Sequence, residues 1–154
     1  MNNKGQITIE YILILSIICI CMIMTTQIVD EQIEQNIIQH AAQNGAQNGL
    51  DKNTYATYYN DTYNNYYENH KRLLLSNKVE IMKIQQIKKQ DTIQIQVYAH
   101  TNTLNNEEKH ILSSRINYYI RASITKTFNK TSNTFYEPAY SKNYKITTRN
   151  IIWI

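Results

Sequence analysis

Glu10 is the one charged residue inside a long apolar stretch, which makes it the first residue to consider for chemistry. Residues 7–29 read ITIEYILILSIICICMIMTTQIV and contain no other charge in twenty-three positions. A charge at the centre of a membrane helix costs roughly 2.5–3.5 kcal/mol on insertion scales, so this carboxylate needs a cationic partner. No Lys or Arg lies between residues 5 and 51, so the partner is not on this stretch. The alternative is an acid at the membrane edge with no special role.

The rest of the chain offers little for catalysis or metal binding. The histidines are scattered and lack the spacing of metal ligands: His40, His70, His100 and His110. Cys19 and Cys21 both lie in the apolar stretch and point about 200° apart on a helix, so they cannot bridge each other. The sequence has no nucleophile elbow, phosphate loop or paired-acid motif. We therefore expect no enzymatic activity, no metal and no cofactor.

The apolar stretch predicts a transmembrane helix at residues 7–29. At 1.5 Å per residue it covers about 34 Å, which is enough for the hydrocarbon core of a bilayer. No small-residue cleavage site of a secretory signal follows it. Lys4 precedes the stretch and three acids follow it within five residues, which favours a cytoplasmic N terminus and an external remainder. A uniformly soluble cytosolic protein is excluded.

The same helix is predicted to continue beyond the membrane, from about residue 6 to residue 43. An apolar residue recurs at every fourth position, at Val29, Ile33, Ile37 and Ala41, with Ile38 and Ala42 beside them. The pairs Asn44-Gly45 and Asn48-Gly49 are typical helix terminators. The amphipathic part of the helix needs a surface to pack against, and the following domain is the candidate.

The residues before the apolar stretch resemble those of a known family. Lys4-Gly5-Gln6, followed by ITIEY, is similar to the processing region of archaeal class III signal-peptide proteins, which are type IV pilin-like. That family has the pattern K/R-G-Q-x-S/T-x-E-[YF] running directly into a hydrophobic helix, and Thr8 occupies its Ser/Thr position. The resemblance covers residues 4–43.

The resemblance implies a processing step and an assembly contact. In that family a membrane-embedded prepilin peptidase cuts between Gly and Gln on the cytoplasmic side, and the helix stays on the protein. Residues 1–5 would then be a leader with Lys4 as its basic residue, and the cut would fall between Gly5 and Gln6. Glu10 would become the fifth mature residue, and the new α-amino group of Gln6 on a neighbouring subunit would be its cationic partner.

The function implied is that of a structural subunit of a cell-surface filament, with adhesion or a related surface role. Its partners would be the prepilin peptidase, other pilin-like subunits through the apolar helix, the membrane and the membrane-bound assembly machinery. The alternative is a single-pass, surface-anchored binding protein that never polymerises and keeps Met1.

Residues 44–154 predict a small extracytoplasmic domain, which makes the fold class α+β. Strict alternation of apolar residues at 93–97 predicts a strand, and a similar pattern from Val79 slips at Lys83-Ile84. These two strands would form an antiparallel hairpin around residues 89–91. A helical pattern opens at Asn106, residues 129–143 look irregular, and Tyr144 to Trp153 predicts a closing strand.

Two further features of this domain have alternative interpretations. Six tyrosines occur between Tyr55 and Tyr67, either packed on the domain or exposed as a surface for sugars, a partner subunit or a target cell. Residues 109–154 hold 8 basic groups and 1 acidic group, a net charge of +7. This segment is either a solvated lysine-rich surface or a basic face for an anionic polymer or the next subunit. No nucleic-acid-reading motif accompanies it, so nucleic-acid binding is not expected.

Two Asn-x-Thr triplets match the acceptor pattern for N-glycosylation. They begin at Asn60 and Asn129. An external location would make their modification feasible, although a chain with 19 Asn residues also produces such triplets by chance.

Overall fold

The structure, a computed structural model, is α+β, as the sequence predicts. It describes the backbone of residues 3–54, 79–131 and 136–154, and the side chains of 9–51, 79–131 and 136–154. The chain divides into two units, Met1–Asn36 and Ile37–Ile154. The first unit contains the N-terminal part of a long helix. The second contains the remainder of that helix, a five-stranded sheet and another helix.

The long helix, α1, spans Asn3–Thr54, so the predicted helix end at residue 43 was wrong. Both Asn-Gly pairs lie inside it. The buried residues of α1 in the second unit follow a four-residue repeat, and they are Ile38, Ala41, Ala42, Gly45, Ala46, Gly49 and Leu50. This repeat places small side chains in a stripe along one side of the helix. The glycines therefore serve helix packing and do not terminate the helix.

The predicted packing face of α1 was only partly right. Ala41 and its neighbours Ile38 and Ala42 are buried, but Ile37 is 38% exposed. In the first unit Val29 and Ile33 are each 51% exposed. In the second unit, the buried side of α1 is centred on the small residues and not on Ile37. Only small side chains allow another helix to approach closely.

That other helix, α2, spans Asn106–Thr127 and crosses α1 at the two glycines. A Cβ atom on Gly45 would lie 2.5 Å from the Tyr119 carbonyl oxygen and 2.6 Å from the Ile120 Cα. A Cβ atom on Gly49 would lie 2.9 Å from the Ile116 Cα. All three neighbours are backbone atoms, which cannot move independently of the helix. Glycine is thus required for the distance at which α1 and α2 pack.

The start of α2 agrees with the sequence prediction. The Asn105 side chain accepts a hydrogen bond from the Glu108 backbone N–H at 2.9 Å, and the Glu108 carboxylate accepts one from the Asn105 N–H at 2.8 Å. This reciprocal capping box satisfies two backbone donors at the helix N terminus. The apolar repeat after it is fully buried, at Leu112, Ile116, Ile120 and Ile124.

The predicted hairpin is also confirmed. Strand β1 (Val79–Lys89) pairs antiparallel with β2 (Thr92–Thr101), and the turn between them has Gln90 at a φ of 50°. The register shifts between Ile81 and Lys83, so Met82 is an extra, bulged residue. The bulge brings Ile84 onto the face of Val79 and Ile81, and all three pack against the core.

The predicted closing strand is present but interrupted. Strands β4 (Lys145–Thr148) and β5 (Ile152–Trp153) both run parallel to β2, and a short β3 (Ala139–Tyr140) pairs antiparallel with β4. Between β4 and β5 the strand pairing with β2 is interrupted. At this point the Nε2 of the buried Gln96 in β2 donates a hydrogen bond to the Asn150 carbonyl oxygen at 2.7 Å. A side-chain amide here replaces a missing backbone hydrogen bond of the sheet.

One hydrophobic core joins these elements. The β2 side chains Ile93, Ile95, Val97 and Ala99 are fully buried, in the same cluster as the apolar face of α2 and the small-residue stripe of α1. Beside this core, Gln39 of α1 donates to the Ile84 carbonyl oxygen of β1 at 3.0 Å and accepts from the Gln86 side chain at 3.0 Å. The second unit is therefore held by close helix packing on one side of the sheet.

Replacing Gly45 with alanine is expected to destabilise the protein. Alanine gains about 1 kcal/mol of helix propensity over glycine. The added methyl group, however, would overlap the α2 backbone, and overpacking of this kind typically costs about 1–3 kcal/mol. We expect a lower unfolding temperature for Gly45→Ala, measured by circular dichroism on the full chain in detergent.

The control for this prediction is Asn44→Ala, on the exposed neighbour of Gly45. This variant gains helix propensity without entering the helix contact, so its unfolding temperature should stay the same or rise. An unfolding temperature for Gly45→Ala as high as that of Asn44→Ala would contradict the close packing at Gly45.

Candidate functional site

The surface of α1 in the first unit is the main candidate for function. Every described residue from Ile9 to Asp30 is exposed, although nearly all of them are apolar. The helix is long and apolar enough to cross a membrane. Soluble proteins rarely expose contiguous apolar surface of this extent, and the surface is compatible with a membrane anchor.

The hydroxyl groups on this helix are already satisfied within it. The hydroxyls of Ser16, Thr25 and Thr26 donate to the backbone carbonyl oxygens of Ile12, Met22 and Ile23, each at 2.8 Å. Such bonds to the preceding turn remove the need for a solvent partner. This is the arrangement that polar side chains require inside a hydrocarbon layer.

Glu10 is exposed near the start of this surface. Lys4, Gly5 and Gln6 lie in the first turns of α1, and their side chains are outside the described ones. The helical backbone places positions 6 and 10 one turn apart on the same face. The contact that the resemblance implies joins two subunits, so its assignment to Gln6 and Glu10 stays a prediction.

The other residues predicted to be functional lie after the apolar stretch. Asn129 is exposed in the turn after α2, with a φ of 50° and its N–H donating to the Lys126 carbonyl oxygen at 3.1 Å. Thr131 of the same triplet is also exposed. Asn60 and the tyrosine cluster at 55–67 lie outside the described residues.

The basic segment 109–154 is a mixture of surface charge and buried structure. Its exposed cations are Lys126, Lys130, Lys142, Lys145 and Arg149. Arg121, by contrast, is buried on α2. Both interpretations of the segment, a solvated surface and a basic binding face, need exposed cations, so neither applies to Arg121.

The Arg121 guanidinium contacts side-chain oxygen atoms of Thr148 and Glu137. Its Nη1 donates to the Thr148 hydroxyl of β4 at 2.5 Å, and its Nη2 lies 3.7 Å from the Glu137 carboxylate. Burial lowers the pKa of the Arg121 guanidinium, and the carboxylate of Glu137 opposes that shift. Because Glu137 is 60% exposed, solvent weakens this ion pair. Arg121 thus ties α2 to the sheet.

Sequence patterns did not indicate the role of Gly45 and Gly49, nor a groove beside Trp153. The Trp153 indole N–H donates to the Ser113 hydroxyl of α2 at 3.3 Å, and the Lys109 Nζ lies 5.9 Å from the centre of its ring. These contacts join residues forty positions apart in sequence. In the sequence, the presence of a single tryptophan was the one feature that could have drawn attention to these contacts.

The chain was also compared with known proteins and searched for metal sites. Comparisons with protein-family models, curated proteins and solved structures give no match. Among the described residues, no group of three or more His, Cys, Asp or Glu side chains is arranged to hold a metal ion. The functional argument therefore depends on the chemistry of the chain's own residues.

Removal of the Thr148 hydroxyl is expected to destabilise the domain. Thr148→Val keeps the side-chain shape and the preference for a strand, but leaves Nη1 of the buried guanidinium without this acceptor. A hydrogen bond to a charged group contributes about 1.5–3 kcal/mol. We expect a loss of this size in the free energy of unfolding, measured by urea titration.

Thr147→Val is the matched control, since it is the neighbouring threonine on the same strand and is equally half-buried. The described part of the chain shows no hydrogen bond from its side chain. If Thr147→Val and Thr148→Val are equally stable, the hydrogen bond between Thr148 and Arg121 does not stabilise the domain.

Proposed function

We propose that this chain is a type IV pilin-like structural subunit that a prepilin peptidase processes and that assembles into a cell-surface filament. The observation that carries the proposal is Lys4-Gly5-Gln6 followed by Glu10, at the start of a helix whose apolar surface is exposed through residue 29. A single-pass surface anchor needs an apolar helix but has no use for the glycine, the glutamine or the acid.

The processing step fits the chemistry of Gly5. Glycine has no side chain to hinder a protease at the scissile bond. It also costs about 1 kcal/mol more than alanine in a helix, so local unwinding of the first turn of α1 is inexpensive. Cutting between Gly5 and Gln6 removes Lys4 with the leader and leaves the apolar helix on the mature chain.

The cut would also create a cation that can pair with Glu10. A free α-amino group is largely protonated at neutral pH, so the mature N terminus at Gln6 is positively charged. Positions 6 and 10 are one turn apart, so amine and carboxylate can pair within one chain before assembly. In the filament the amine pairs with Glu10 of a neighbouring subunit, which fixes the axial register between the two helices.

Assembly would then cover the exposed surface of α1. Apolar helices from many subunits would bundle in the filament interior, and Glu10 and the amine of Gln6 would lie among them as a buried ion pair. Before assembly the subunit resides in the cell membrane with its N terminus in the cytoplasm. The domain after the membrane segment would coat the filament and supply its adhesive or related surface role.

The variant Glu10→Gln tests the proposed pairing. It removes a charge that is costly in lipid, so peptidase cutting and membrane insertion should be unaffected or improved. Assembly should fail, because the amine of each incoming subunit would enter the apolar interior without its counter-ion. Breaking one side of a buried pair costs about 3–5 kcal/mol, which corresponds to more than about a hundredfold in the assembly equilibrium. Electron microscopy of the cells should show few or no filaments.

The control is Asp30→Asn, which removes an exposed acid just after the apolar stretch. Filament number should be normal for this variant. Normal filaments from Glu10→Gln cells would overturn the pairing, and an anchored protein that never polymerises would show equal or higher surface abundance and no loss of function.

A further inference from the structure

An open groove lies between the first turns of α2 and the last residues of the sheet. Its volume is about 450 Å³, and its lining includes Lys109, His110, Ser114 and Asn117 of α2 and Trp153 of β5. This groove belongs to the second unit alone. Its function is therefore independent of whether the chain is cut or polymerised.

The indole ring of Trp153 is fixed at the side of this groove. Trp153 is half-buried, and its N–H donates to the hydroxyl of Ser113 at 3.3 Å. That hydroxyl in turn donates to the Lys109 carbonyl oxygen at 2.7 Å. The ring is thus held by a hydrogen-bonded chain that ends on the α2 backbone, and little conformational freedom would be lost when a ligand packs against it.

The charge in the groove is positive. The Lys109 Nζ lies 5.9 Å from the centre of the Trp153 ring, and His110 is the exposed residue next to it. The lining contains no acidic residue. The nearby Glu108 carboxylate is engaged in capping α2. The groove therefore presents a cation over an aromatic ring, within a segment whose net charge of +7 attracts anions.

Asn117 lines the groove and has a buried amide oxygen without a hydrogen-bond partner among the described residues. Its side chain is 8% exposed, and its Nδ2 donates to the Arg149 carbonyl oxygen at 3.0 Å. Its Oδ1 has no hydrogen-bond partner within the described ranges 9–51, 79–131 and 136–154. A buried amide oxygen of this kind is normally satisfied by an ordered water or by a donor on a bound molecule.

We infer that this groove binds an acidic sugar, a pyranose that carries a carboxylate, as part of a surface polysaccharide. The carboxylate would accept charge-assisted hydrogen bonds from Lys109. The apolar face of the sugar ring would pack on Trp153. Sugar hydroxyls would meet the exposed hydroxyl of Ser114 directly and the buried amide oxygen of Asn117 through a water. A small number of placed polar groups around an apolar wall is the usual composition of a small-molecule site.

The test uses the full chain in zwitterionic detergent micelles and a galacturonic acid trisaccharide as the probe. Trp153 is the single tryptophan of the sequence, so its fluorescence reports directly on the groove. We expect a saturable change in emission that weakens with salt. The neutral galactose trisaccharide should bind about tenfold more weakly or worse, because it lacks the charge-assisted contact with Lys109.

A matched pair of variants separates a specific site from general charge attraction. Lys109→Met keeps the length of the side chain and should reduce the preference for the acidic over the neutral trisaccharide by about tenfold. Lys126→Met removes an exposed lysine at the other end of α2 and should leave binding unchanged.

Three results would overturn the inference. The first is the absence of a saturable emission change with the acidic trisaccharide. The second is an equal loss of binding in Lys109→Met and Lys126→Met, which would indicate attraction to the basic segment as a whole. The third is equally tight binding of a triglutamate peptide, which would show that the groove selects carboxylates and not sugars.

Discussion

The close contact between α1 and α2 is the interaction on which the domain depends. At Gly45 and Gly49 the backbone of α1 approaches so near to Tyr119, Ile120 and Ile116 that a Cβ atom has no room. This distance lets the small-residue stripe of α1 and the isoleucine face of α2 share one core with β2. Two glycines inside a helix cost about 2 kcal/mol in propensity. The packing that they permit offsets that cost.

The same helix has a different chemistry before this contact. In the first unit its apolar side chains are exposed, and its hydroxyls are bonded to its own carbonyl oxygens. Burying an apolar surface of this kind away from water is favourable. Membrane insertion and, in the proposed filament, subunit packing would both achieve this burial. Glu10 is the exception to the apolar pattern, and a charge pair created by proteolysis would be the simplest compensation for it.

The sequence predicted those elements whose signals are local. The hairpin turn at Gln90 and the slip near Lys83 follow from period-two alternation, and the start of α2 follows from the helical pattern that opens at Asn106. The end of α1 was mispredicted because Asn-Gly is a local terminator, whereas the contact of Gly45 with α2 is a tertiary effect that overrides it. The closing of the sheet by Gln96 and the groove at Trp153 both join distant residues, so no periodicity could indicate them. At the candidate assembly site, the residues could be identified from the sequence alone. The structure shows in addition that the Glu10 side chain is exposed.

The mass of the native protein's N-terminal peptide, isolated from membranes of the source cells, is the most direct test of the proposed function. The pilin-like account predicts a chain that begins at Gln6, with the first five residues removed and the apolar helix retained. A protein at the cell surface that still begins at Met1 would contradict it, because Glu10 would then have no α-amino group at position 6 with which to pair.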